Sequence, residues 1–212
     1  MMKINEYIDH TVLNADARKS DIDKLVKEAQ KYKFKSVCVN SSYVSYIRKI
    51  DKNIKITSVV GFPLGAMATK AKAYEAKLAI SDGADEIDMV INVGRLKDKD
   101  YSYVEKDIEE VKKSCQGKVL KVIIETCLLT DQEKIKACEI SKKAGADFVK
   151  TSTGFSKSGA KIEDVKLMRE SVGENFGVKA SGGIHNKDQA LQMIKAGANR
   201  LGTSKSIEIV EG

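Results

Sequence analysis

Eight short runs rich in β-branched residues recur along the chain, and stretches with helical spacing separate most of them. The strand-like runs are Tyr7–Leu13, Ser36–Asn40, Lys55–Phe62, Glu86–Asn92, Val119–Glu125, Ala146–Thr151, Gly177–Ser181 and Arg200–Thr203. Helical periodicity fills Thr69–Asp82, Tyr101–Ser114, Thr130–Ala144, Ile162–Val172 and Lys187–Ala196, with a capping box at Thr130 and Glu133. This alternation predicts a (β/α)₈ barrel of the TIM type spanning residues 1–212 as a single domain. An open, doubly wound sheet needs fewer strands and usually a G-x-G-x-x-G turn, which the sequence lacks.

A short internal repeat supports the barrel. DGADE (82–86), AGADF (144–148) and AGANR (196–200) each place Gly just past a helix and just before a strand. Glycine relaxes the left-handed helix end there, and the chain turns at once into the next strand.

Strand parity separates the two faces of each run. Ile87, Met89 and Ile91 share one face, while Glu86, Asp88, Val90 and Asn92 share the other. Leu120, Val122 and Ile124 likewise oppose Lys121, Ile123 and Glu125. The face against the helix layer is apolar, so the mixed faces point into the barrel. The same count turns Cys38 with Asn40, Phe148 with Lys150, and Lys179 with Ser181 inward. Asp88, Lys121, Lys150 and Lys179 are therefore expected to meet in the interior, near the strand C-terminal ends where barrel active sites lie.

Lysine in a buried strand needs a reason, because its ammonium loses several kcal/mol of hydration. One such lysine reads more readily as a structural ion pair, here with Asp88 or Glu86. Two on successive strands, Lys150 in ADFVKTSTGF and Lys179 in FGVKASGG, favour chemistry. A desolvated amine beside a second cation becomes a neutral nucleophile, the reagent of Schiff-base formation. Lys121 lies deeper in its strand and reads as an ion pair at the barrel floor. Asp88 can balance these lysines and also relay protons.

The remaining composition narrows the classes. Cys38, Cys115, Cys127 and Cys138 show no C-x-x-C spacing and read as reduced thiols, and His10 and His185 are the only histidines. No metal site and no cofactor are expected. Neither histidine has an evident carboxylate partner by motif. No apolar run reaches a membrane-spanning length and no signal-peptide core is present, so a cytoplasmic, soluble protein is expected. The net charge of +7 comes from lysines interleaved with acids, with only five arginines and no Trp. That pattern argues against nucleic acid as a partner and is compatible with attraction for phosphorylated small molecules. Gly182-Gly183 and Gly202-Thr203-Ser204 follow the last two strands, where such barrels often cradle phosphate on backbone amides.

The stretches IDHTVL, SVCVN, VVGFPLGA, EIDMVINVG, LKVIIET, FVKTSTGF, VKASGGI and RLGTS together resemble the deoxyribose-phosphate aldolase family almost end to end. The resemblance implies a metal-free Schiff-base aldolase that reversibly cleaves 2-deoxy-D-ribose 5-phosphate into D-glyceraldehyde 3-phosphate and acetaldehyde, working as a homodimer or homotetramer. It makes Lys150 the Schiff-base lysine, Lys179 its tuning neighbour and Asp88 the proton-relay carboxylate. It assigns phosphate to Gly154, Gly182, Gly183, Gly202 and Ser204. His185 replaces the arginine usual after GGI, and Lys205-Ser206 replaces a small pair after GTS. Lys205 is accordingly expected as an auxiliary phosphate cation. The competing readings are a sugar-phosphate isomerase on the same barrel and a basic nucleic-acid-binding protein.

Overall fold

The computed structural model describes residues 3–212. Eight strands, β1 (Ile8–Val12), β2 (Ser36–Asn40), β3 (Ile56–Val60), β4 (Glu86–Val90), β5 (Val119–Ile123), β6 (Phe148–Lys150), β7 (Gly177–Ser181) and β8 (Arg200–Thr203), pair in parallel and in sequence order. They close into a barrel through β1 and β8. All eight runs read from the sequence are strands, most of them shorter at the ends because pairing stops where the loops begin.

The five expected helices are α3 (Thr69–Ser81), α5 (Tyr101–Ser114), α6 (Asp131–Lys143), α7 (Ile162–Val172) and α8 (Lys187–Lys195). The structure adds α1 (Lys19–Tyr32), α2 (Val44–Ile50), α4 (Val93–Lys97) and α9 (Ser206–Glu211). The α6 start carries the capping box: Glu133 N–H donates to Thr130 Oγ1, and Thr130 N–H to Glu133 Oε2 at 2.8 Å.

The repeat has a physical role at the barrel floor. Gly83, Gly145 and Gly197 all take positive φ, as a turn straight from helix to strand demands. The polar residue two places on then clamps the preceding strand. Asp85 accepts from Ile56 N–H at 2.9 Å, Asp147 from Leu120 N–H at 2.7 Å, and Asn199 from Val178 N–H at 2.8 Å. Each joint thus ties two neighbouring strands where the ladder would otherwise fray.

The apolar core lies between strands and helices. Ile87, Met89, Leu120, Val122, Val149 and Val178 face outward into it, fully buried. The barrel interior is polar instead. Asp9, Thr57, Glu86, Asp88, Lys121 and Lys179 are all at most 1% exposed. Buried charge survives there only because every member is paired or hydrogen-bonded.

Candidate functional site

Parallel pairing brings the inward side chains to common levels. Asp88 on β4 registers with Lys121 on β5, Lys150 on β6 with Lys179 on β7, and Lys179 with Arg200 on β8. Asp88 is the hub. Its Oδ1 accepts from Lys121 Nζ at 2.8 Å, and its Oδ2 accepts from both Lys150 Nζ and Lys179 Nζ at 2.8 Å. Two amines sharing one oxygen are close neighbours.

The network runs deeper than parity arguments reached. Lys179 also donates to Asp9, and Lys121 reaches Glu86 Oε2 at 2.6 Å. Arg200 bridges Asp9 Oδ1 at 2.7 Å and Glu86 Oε2 at 2.9 Å. Asp9 and Arg200 had no place in the sequence reading, and Glu86 figured only as a possible partner of Lys150. The signal was present: Tyr7, Asp9, Thr11 and Leu13 form a mixed face of the first strand-like run, the mark of an inward face. Lys121, with Glu86 and Asp88 bound, Asp9 at 4.0 Å and no opening to solvent, is the floor ion pair that its depth implied.

Four buried cations (Lys121, Lys150, Lys179, Arg200) face three buried carboxylates (Asp9, Glu86, Asp88). One ammonium is in excess, and the electrostatics single out which. Burial pushes the Lys150 amine down; Asp88 opposes this, and the Lys179 ammonium adds to it, leaving Lys150 below the usual lysine range. Burial also acts against the Lys179 ammonium, but Asp88 and Asp9 together overcome it and hold that group above the usual range. For Asp88, the charges of Lys121, Lys150 and Lys179 outweigh burial and keep the carboxyl well below its ordinary value. The two lysines read together from sequence are thus driven apart in proton affinity. Burial, rather than the second ammonium, is the larger downward influence on Lys150.

Access separates them further. A cavity of about 520 Å³ opens at the strand C-terminal ends, lined by Lys150 together with Thr11, Leu13 and Phe155. Lys179, Lys121 and Asp88 lie behind Lys150 and do not reach its wall. Gly154, Gly182, Gly183, Gly202 and Ser204 line the same cavity. Gly182 and Gly183 hold φ of 80° and 74°, a left-handed turn that strains other residues. Among the described residues, the backbone N–H groups of Gly183, Ile184 and Ser204 make no hydrogen bond to the protein. Thr203 joins the two loops, donating to Ile184 O at 2.8 Å while accepting from Lys205 N–H at 2.9 Å.

Three placements go beyond the sequence reading. Lys205 lies outside this cavity, beside a neighbouring one of about 650 Å³, and its Nζ donates to Glu208 at 3.0 Å. His10 does have a carboxylate partner: Nε2 lies 2.9 Å from Glu28 on α1, and Nδ1 2.8 Å from Ser206. This partner is a helix away, so no local motif announced it. Asp16 and Asn14 also line the cavity, from a loop that carried no motif. Cys38 is fully buried with its thiol pushed up by desolvation, as a small core residue should be. Among the described residues no cluster of three or more His, Cys, Asp or Glu side chains is arranged to hold a metal.

A closed parallel barrel whose cavity meets a buried amine at the strand C-terminal ends defines a (β/α)₈ barrel enzyme. A family model described as DeoC/LacD family aldolase matches residues 4–204. The chain is 66% identical over 213 residues to the deoxyribose-phosphate aldolase of Finegoldia magna, covering 100% of both proteins. It is 61% identical over 213 residues to that of Clostridium tetani, covering 99% of each. Among solved structures it superposes on a tetrameric deoxyribose phosphate aldolase from Aeropyrum pernix with a TM-score of 0.93. That match has 32% identity and covers 98% of this chain and 89% of the other. The chain belongs to the DeoC/LacD family of aldolases.

Proposed function

We propose that this aldolase cleaves 2-deoxy-D-ribose 5-phosphate reversibly to D-glyceraldehyde 3-phosphate and acetaldehyde, through a Schiff base on Lys150. The observation that carries the reading is that Lys150 alone among the interior lysines both opens onto the cavity and is pushed toward its neutral form. A free lysine of pKa about 10.4 is neutral in fewer than about one molecule in a thousand at pH 7, so the downward push sets how much nucleophile exists.

Neutral Lys150 Nζ attacks the C1 aldehyde of the open-chain sugar, and loss of water gives a protonated imine. The C3 hydroxyl then gives up its proton as the C2–C3 bond breaks. That bond's electron pair passes to C2 and the imine nitrogen, giving an enamine and releasing glyceraldehyde 3-phosphate. Protonation at C2 and hydrolysis free acetaldehyde and return the amine. Asp88 is the proton-relay carboxylate, acting through water in its anionic form, which the surrounding cations favour. Lys179 remains an ammonium that discourages protonation of Lys150.

The phosphate lies across the cavity against Gly154, Gly182, Gly183, Gly202 and Ser204, where the unpartnered amides of Gly183, Ile184 and Ser204 can donate. The chemistry needs neither metal nor cofactor, since the imine is itself the electron sink. We further propose that residues 1–212 act as one domain in the cytoplasm, in deoxyribose phosphate catabolism, as a homodimer or homotetramer. The Aeropyrum relative's tetramer supports self-association. Among the described residues no helix is long and apolar enough to cross a membrane.

Borohydride reduction in the presence of acetaldehyde tests the centre of the reading. Peptide mapping should find an ethyl group on Lys150; stable labelling of Lys179 or Lys121 instead would overturn the assignment. An isomerase on the same barrel would trap no imine.

A further inference from the structure

Glu125, two residues beyond the end of β5, carries two costs at once. Its backbone is left-handed, at φ 55° and ψ 65°, a conformation that strains a residue bearing a Cβ. Its carboxylate is buried, at 4% exposure, yet the groups that donate to it are neutral. Thr153 N–H reaches its two oxygens at 3.3 and 3.4 Å, the Thr153 hydroxyl donates to Oε2, and the Cys127 thiol lies 3.9 Å from Oε1. The cations of the barrel centre pair with Asp9, Glu86 and Asp88 and leave Glu125 aside. A carboxylate out of water without a cation is costly, and strain of this kind gathers at functional sites.

What the residue holds is the loop that follows Lys150. Thr153 Oγ1, gripped by Glu125, accepts from Phe155 N–H at 3.0 Å, so one carboxylate sets the path of Thr153–Gly154–Phe155. All three residues line the cavity. On either side of Glu125 the backbone is tied to the Lys150 strand: Ile124 N–H donates to Lys150 O at 3.0 Å, and Thr126 N–H to Thr151 O at 2.9 Å. The left-handed turn between these two ties aims the side chain at Thr153.

We propose that Glu125 is a positioning residue: it fixes the Thr153–Phe155 segment as the wall against which the substrate beyond C2 is aligned, without acting on the nucleophile. The inference rests on the Schiff-base reading above. A two-carbon fragment needs only the amine, whereas the five-carbon sugar phosphate must also fit the cavity that Thr153, Gly154 and Phe155 line. Loss of the grip therefore separates two reactions that a loss of fold would lower together.

Glu125→Gly removes the carboxylate and relaxes the backbone. Its kcat/KM for 2-deoxyribose 5-phosphate should fall between about tenfold and a hundredfold, the scale of a small misplacement. Borohydride trapping of acetaldehyde on Lys150 should stay within about twofold of wild type. The Tm should not drop, because strain and a buried charge are both gone. Amide hydrogen exchange at Thr153 and Phe155 should quicken. Thr153→Val should lower kcat/KM in the same way, and the double variant should lose less than the product of the two. Glu125→Gln, which keeps an acceptor for Thr153 N–H, should lose less than Glu125→Gly. Unchanged kcat/KM in Glu125→Gly, unchanged exchange at Thr153 and Phe155, or a parallel fall of trapping, Tm and kcat/KM would each overturn the proposal. Absence of trapping in the wild type would instead overturn the Schiff-base reading, and the exchange measurement would still decide whether Glu125 holds the loop.

Discussion

Lys72 and Lys150 are both buried lysines, each bound to an aspartate and each pushed below the usual lysine range by burial. They serve different ends. Lys72 on α3 is fully sealed, its methylenes against Gly61 and its Nζ bound to Asp107 at 2.6 Å and Val90 O at 2.9 Å. Every direction its amine could attack from is occupied by protein. Lys150 shares its aspartate with two other ammoniums and faces a cavity. Burial and a lowered proton affinity are therefore not what marks a nucleophile. A surplus of cations around one carboxylate, together with an open approach, is.

Removing each amine in turn should separate the two lysines most widely. Lys150→Met should reduce turnover by at least about ten-thousandfold, since no other interior amine reaches the cavity to form the covalent intermediate. Lys72→Met should leave kcat of the folded protein unchanged. Steady-state assays below each variant's melting range check both, and residual turnover above background in Lys150→Met would move the nucleophile elsewhere.

Stability should invert that order. Lys72→Met leaves Asp107 fully buried with the Thr69 hydroxyl as its remaining side-chain donor, so a loss of roughly 3–5 kcal/mol is expected. Lys150→Met leaves Asp88 with Lys121 and Lys179 and removes the surplus positive charge, so its Tm should match or exceed wild type. Urea unfolding of the pair measures the difference directly. Equal destabilisation of both would mean that Lys150, like Lys72, is chiefly a structural partner.

Lys72 also shows where the sequence falls silent. Period-two strands and the three Gly-Ala joints disclosed the barrel, because strand parity and helix ends are local. Parity also placed Asp88, Lys150 and Lys179 together, because parallel register carries side chains to shared levels. Lys72, His10 with Glu28, and Glu125 were not legible. Lys72 sits on a lysine-rich helix where nothing distinguishes it from its exposed neighbours until α5 brings Asp107 against it. Glu125 was placed on an inward face by parity, but its left-handed backbone and its hold on Thr153 arise only once β5 and β6 pair. Asp9 was equally legible, because it shares a face of the first strand-like run with Thr11.

Lys179 carries part of the surplus charge around Asp88. Burial and the Lys179 ammonium both lower Lys150, so Lys179→Met should let the Lys150 pKa rise. The acid limb of the kcat/KM profile then moves to higher pH, and each unit of movement is a tenfold loss of neutral amine at fixed pH. A fall of roughly ten- to a hundredfold at pH 7, partly recovered at pH 9, is expected. A loss of equal size at every pH would give Lys179 a role in proton transfer or in the fold rather than in tuning.

The smallest effect should come from Lys205, which lies outside the cavity. Lys205 is half-exposed and engaged with Glu208 three residues on, a surface pair worth about 1 kcal/mol at most. To reach a phosphate on the Gly183 and Ser204 amides it must give up that partner, so its net attraction is small. Lys205→Ala should raise KM for 2-deoxyribose 5-phosphate by no more than about fivefold and leave kcat unchanged. Gly183→Val, by contrast, places a branched side chain on a left-handed backbone of φ 74° beside the free amides, and should weaken the phosphorylated substrate far more than plain 2-deoxyribose. Kinetics with the two substrates, run on both variants, separate charge from cradle. If Lys205→Ala costs as much as Gly183→Val, the side chain swings into the cavity and carries the phosphate. If Gly183→Val weakens both substrates equally, the loop is structural and the phosphate binds elsewhere on the rim.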